Sequence, residues 1–92
     1  MNQEGWHCFL NLCSLAKDEK ILSEVLDLLL TPEEKSSIET RCLIIKALLT
    51  AEKPQRQISE DLHVSIAKIT RGSNELKRIS EKLLRYLQNI LL

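Results

Sequence analysis

Between Ile21 and Leu30, seven of ten residues are Ile, Leu or Val. A helix that apolar on nearly every side must be buried on nearly every side. A chain of 92 residues has little material with which to surround it. Either the segment is the central helix of a monomeric bundle, or a second copy of the chain supplies the missing cover. The second solution suits so short a chain better, and an interlocked homodimer is the expectation. Leu occurs eighteen times, against two Gly and two Pro, too few turn formers for a many-stranded sheet. The chain is therefore expected to be all-α, a single helical domain over residues 1–92.

Further elements follow from local signals. Trp6, Phe9, Leu10, Leu12 and Cys13 fit a first helix over about residues 3–16, closed by the polar break Lys17-Asp18-Glu19-Lys20. Thr31-Pro32-Glu33-Glu34 is a strong helix start: Thr31 can cap, Pro32 suits the first helical position, and Glu34 can close a capping box. Ile38, Cys42, Ile45 and Leu49 then recur at helical spacing to about Thr50, and Lys53-Pro54 interrupts. Ser80 can cap a last helix with Leu83, Leu84, Leu87 and Leu91 on one face. Residues 1–52 thus read as a dimerisation core, 55–71 as a helix-turn-helix and 80–92 as a C-terminal packing helix.

The formal net charge is zero, but it is unevenly placed. Residues 1–52 carry five basic and nine acidic side chains, a net of −4; residues 53–92 carry eight and four, a net of +4. A DNA duplex responds to the local face. The three cysteines, Cys8, Cys13 and Cys42, form no CxxC pair and sit among apolar residues, so they read as reduced core side chains. His7 and His63 complete no familiar zinc spacing, and no metal is expected. No apolar run approaches ~18 residues, and no signal peptide is visible, so no membrane partner and a cytoplasmic location are the default expectations. No nucleophile–base pairing or phosphate loop points to an enzyme.

Residues 55–71 carry the helix-turn-helix pattern. Gln55 to Leu62 forms its first helix, His63-Val64-Ser65 the turn, and Ser65 can cap the second helix. Ile58, Leu62, Val64 and Ile69 are placed to hold two short helices at a fixed angle. Ile66, Ala67, Lys68 and Thr70 are left facing outward, where such motifs meet base edges in the major groove. Ile66 and Ala67 suit a thymine methyl, Lys68 a guanine acceptor or a phosphate, and Thr70 can donate to either. Gln55 and Arg56 would grip the backbone, with Lys77 a further phosphate contact. The turn wants a left-handed residue where His63 stands, a conformation His tolerates better than most.

At Ile69-Thr70-Arg71-Gly72-Ser73-Asn74 the chain resembles the tryptophan repressor family. The likeness extends over Leu28, Leu30, Thr31, Pro32 and Glu34, over Thr40-Arg41 and Gln55-Arg56, and to Trp6. It implies six helices in an interlocked homodimer, and a repressor that binds operator DNA when L-tryptophan, a corepressor, fills a pocket beside each recognition helix. By position, it implies that Arg41 and Arg71 sandwich the indole ring. Arg71 and Thr31 would hold the carboxylate, the carbonyls of Leu28 and Leu30 would accept from the ammonium group, and Gly72 would leave room for the ring. Glu75 stands where the family has Ser; its carboxylate could pair with the ligand ammonium or repel the ligand carboxylate. Lys68 replaces a Thr that reads the operator, Ser59 replaces a Lys near the backbone, and His63-Val64-Ser65 replaces a glycine-containing turn. Two further readings stay open: a helix-turn-helix repressor answering to another ligand or to none, and a helical adaptor without DNA binding.

Overall fold

The computed structural model describes residues 3–50 and 52–92; Met1, Asn2 and Ala51, all within the expected 1–52 segment, lie outside the described residues. The described residues form six helices and no strand: α1 (Gln3–Ser14), α2 (Glu19–Leu29), α3 (Pro32–Thr50), α4 (Gln55–Leu62), α5 (Ile66–Leu76) and α6 (Glu81–Leu91). Two compact units are distinguished, Met1–Ser36 and Ser37–Leu92.

In the first unit α1 packs on α2. Asp18 lies inside the expected polar break and turns out to be a helix cap: its carboxylate accepts from the Ile21 N–H at 2.8 Å. The start of α3 is the capping box that Thr31 and Glu34 announce. The Glu34 N–H donates to Thr31 Oγ1 at 3.1 Å, and the Thr31 N–H donates to Glu34 Oε1 at 2.9 Å. Those bonds to Thr31 hold the Glu34 carboxyl below its usual range. Lys35 pairs with Asp27 at 2.9 Å, tying the start of α3 to α2. Even so, Leu28 on α2 is 83% exposed, and Trp6 on α1 and Leu15 just after it are also exposed. In the apolar segment that constrains the chain, Leu22, Val25, Leu26 and Leu30 are therefore half-buried, while Ile21, Leu28 and Leu29 stay exposed.

The second unit is built on three buried isoleucines, Ile44 of α3, Ile58 of α4 and Ile69 of α5, with Ala47, Leu48, Leu62 and Val64 packed around them. The expected stripe on α3 is corrected here. Ile38 and Cys42 are exposed, and Ile44, Ala47 and Leu48 face the core. Apolar residues ring α3, so spacing alone selects no face. Cys8 is exposed too, and Cys13 is half-buried; all three thiols are free, but they are not the core side chains expected. On α6, Ser80 Oγ accepts from the Leu83 N–H at 3.1 Å, and Leu84, Leu87 and Leu91 are half-buried while Leu83 stays exposed.

The turn between α4 and α5 shows how a non-glycine residue is accommodated. His63 sits at φ 55°, ψ 45°, the only positive φ of a non-glycine residue among those described. Ser59, one turn earlier, bonds both backbone groups of Val64: its carbonyl accepts from the Val64 N–H at 3.1 Å, and its hydroxyl donates to the Val64 carbonyl. Ser65 occupies the N-cap of α5, but its side chain makes no capping bond; only its carbonyl is used, by the Lys68 N–H. The side-chain staple thus comes from Ser59. Ser59→Ala is expected to destabilise the fold by about 1 kcal/mol, the worth of one such bond. His63→Gly, which removes a left-handed strain of about 1–2 kcal/mol at some chain-entropy cost, is expected to raise stability by up to ~1 kcal/mol. Urea denaturation of the two variants checks both signs.

Candidate nucleic-acid interface and ligand residues

Burial of Ile69 sets the orientation of α5, since Ile69 is fully covered. Ile66, Ala67, Lys68 and Thr70 all stand exposed on the same helix. Arg56 in the first turn of α4 is exposed, and Gln55 is half-buried. Two of these residues meet: Thr70 Oγ1 donates to Gln55 Oε1 at 3.1 Å, joining the start of α4 to α5. Lys77 follows the last turn of α5 as its C-terminal cap and is exposed, a position where a cation also complements the helix end.

The second unit holds four of the expected ligand residues. Gly72 is half-buried where α5 meets α3. A Cβ built on it would lie 3.0 Å from Ile44 Cγ2 and 3.3 Å from Leu48 Cδ1. The missing side chain therefore lets α5 approach α3, a packing role independent of any ligand. Arg41 lies three residues before Ile44 on α3, and Arg71 adjoins Gly72, so both are within one helical turn of that crossing; both are exposed. Glu75, one turn further along α5, is exposed as well.

The first unit holds the other three, Leu28, Leu30 and Thr31. Helix α2 ends at Leu29. The donor that would continue the helix onto the Leu28 carbonyl is Pro32, which has no N–H. For Leu30 it is the Glu34 N–H, which is bonded to Thr31 Oγ1. Both carbonyls belong to a helix end whose partial negative charge favours a cation. Thr31 uses its hydroxyl oxygen as an acceptor and keeps its proton to donate.

Two interactions here were not anticipated. Asp61 takes Lys53 Nζ at 2.8 Å and Gln57 Nε2 at 2.8 Å, fastening the segment before α4 to its last turn. The Lys53 contact, with a smaller part from Gln57, holds the Asp61 carboxyl low, and Asp61 raises Lys53 in return. The i,i+4 spacing of Gln57 and Asp61 was a readable signal; the Lys53 contact depends on the intervening turn. An apolar groove of about 690 Å³ runs along α1 and α2, lined by Leu12, Leu15, Ile21 and Val25 among others. No group of three or more His, Cys, Asp or Glu among the described residues could hold a metal ion.

Gly72→Ala tests the packing role. Alanine gains about 1 kcal/mol of helix propensity, but Ile44 is β-branched and stiff at the carbon bearing Cγ2, and overpacking costs about 1–3 kcal/mol. The variant is expected to lose stability in thermal denaturation without any ligand present.

The model for the Trp repressor protein family matches residues 4–91. A Trp operon repressor homolog of Chlamydia trachomatis serovar D is 46% identical over 89 residues, 95% of either chain. The corresponding homolog of Chlamydia caviae is 44% identical over 89 residues, 97% of this chain and 88% of that one. That of Pasteurella multocida is 38% identical over 87 residues, 95% and 85% of the two chains. With six helices, a helix-turn-helix at α4–α5 and a match along nearly its whole length, the chain belongs to the Trp repressor family.

Proposed function

We propose that the chain is a ligand-gated transcriptional repressor that binds operator DNA as a homodimer when L-tryptophan occupies a site beside each recognition helix, α5. The observation that carries the reading is the presentation of α5: Ile69 is buried beneath it while Ile66, Ala67 and Lys68 stand exposed at its start. Those are the positions from which helix-turn-helix proteins read the major groove. The surplus of positive charge after residue 52 supports the same partner. The apolar side chains left uncovered on α1 and α2 support a second copy of the chain. No helix among the described residues is long and apolar enough to cross a membrane, and the family is one of regulators rather than catalysts.

The relatives are named for the Trp operon, and the residue chemistry fits tryptophan. Guanidinium planes at Arg41 and Arg71 stack on an indole and reach a carboxylate. Thr31 has a hydroxyl proton to add, and the carbonyls of Leu28 and Leu30 suit an ammonium group. The ligand gates DNA binding only if it binds the competent arrangement of the two recognition helices better than the others. That arrangement spans two half-sites about 34 Å apart, the general spacing for helix-turn-helix dimers, Trp repressors among them. A tenfold gain in DNA affinity corresponds to about 1.4 kcal/mol of such preference.

Glu75 motivates a second reading, in which the same reader answers to a different amino acid or indole. Calorimetry separates the two. On the first reading the wild-type chain binds L-tryptophan, and a chain that ignores it but binds another member of an amino-acid and indole panel obeys the second. For the DNA face, Lys68→Ala is expected to weaken duplex binding and to relax the base preference at the position it reads. Duplex binding indifferent both to salt and to Lys68→Ala would leave a helical adaptor in place of a repressor.

A further inference from the structure

Thr70 stands on the exposed side of α5, in a position to donate to DNA, yet its hydroxyl proton is already committed. Thr70 Oγ1 donates to Gln55 Oε1 at 3.1 Å, bridging fifteen residues across the two helices. A threonine hydroxyl has one proton to give. While it is held by Gln55, it cannot also be donated to a base or a phosphate.

The consequence falls on Gln55. One lone pair of its amide oxygen is held by Thr70, which fixes the amide with its NH₂ group, two donors and no acceptor function, turned to a partner. A hydrogen bond accepted at the amide oxygen also polarises the amide and strengthens its N–H donors. Donors without acceptors suit a phosphate, whose oxygens only accept. Gln55 is half-buried at the first position of α4, and its partner is β-branched with few side-chain rotamers, so the bridge holds the amide at low entropic cost.

We infer that Thr70 is a positioning residue, which docks on Gln55 and sets the Gln55 amide to donate to the DNA backbone, and that it does not itself read a base by donation. The inference rests on the DNA-binding reading above and assigns a division of labour within it. Phosphate contacts carry no direct sequence information, so Thr70 governs affinity on all sequences while Ile66, Ala67 and Lys68 carry the base contacts.

The test uses the full chain with Thr70→Val, which keeps the shape and loses the hydroxyl, Thr70→Ser, which keeps the hydroxyl, and Gln55→Ala. Binding is measured on a preferred duplex chosen from a random pool and on its single-base variants. Thr70→Val is expected to weaken binding about tenfold and equally on every duplex, and Thr70→Ser to recover most of that loss. Combining Thr70→Val with Gln55→Ala should cost no more than the worse single change, because the two act as a unit. In DNA-free protein, the Gln55 side-chain amide resonances should move in Thr70→Val and stay in place in Thr70→Ser. Multiplicative losses, or a Thr70→Val variant that reorders base preference at one position, would overturn this inference alone. A wild-type chain that binds no duplex, with or without L-tryptophan, would overturn the DNA-binding reading and this inference with it.

Discussion

Ile69 is completely buried against Ile44 and Ile58, and that burial decides which side of α5 is left to meet a partner. Helices α4 and α5 have eight and eleven residues, too few to be stable alone in water. A buried isoleucine contributes about 1.5–3 kcal/mol, and truncating one to alanine costs about 2–5 kcal/mol. With three such residues drawn from three helices, the core has little redundancy. Gly72 extends the contact by letting α5 approach α3 at the Ile44–Leu48 turn. One helix therefore serves two directions: Lys68 and Thr70 outward, Ile69 and Gly72 inward.

The same economy explains what lies uncovered. Leu28, Leu15 and Trp6 remain exposed in the single chain, although the first unit is well tied by its capping bonds and the Asp27–Lys35 pair. Exposed ion pairs and caps fix where helices begin but bury little apolar surface. The demand for cover made by residues 21–30 is thus local to α2 and unmet within its own unit, which is the physical basis for proposing a second copy of the chain.

Legibility tracked the range of the interactions. The limits of α3 and α4 and the start of α5 were readable because caps, proline and the turn act within a few residues, and the Thr31–Glu34 box formed as expected. The helix-turn-helix core was readable because Ile58, Leu62, Val64 and Ile69 lie within twelve positions. The inward face of α3 was not, because its apolar residues point all round and only the partner helices select Ile44. The Ser59 staple escaped notice because it depends on the left-handed backbone at His63, and the Thr70–Gln55 bridge because its ends are fifteen residues apart. Among the residues expected to hold a ligand, Gly72 has a packing role that sequence alone did not reveal. The roles proposed for Arg41, Arg71, Thr31, Leu28 and Leu30 rest on family likeness, since isolated arginines and leucines carry no spacing signal.

Gating of DNA binding by the ligand is put to the test by selecting bound duplexes from a random pool with and without L-tryptophan. A gated reader enriches one two-fold symmetric site, its half-sites about one helical turn apart, only when L-tryptophan is present. Enrichment of the same site to the same extent in both arms, or of no site in either, would contradict it.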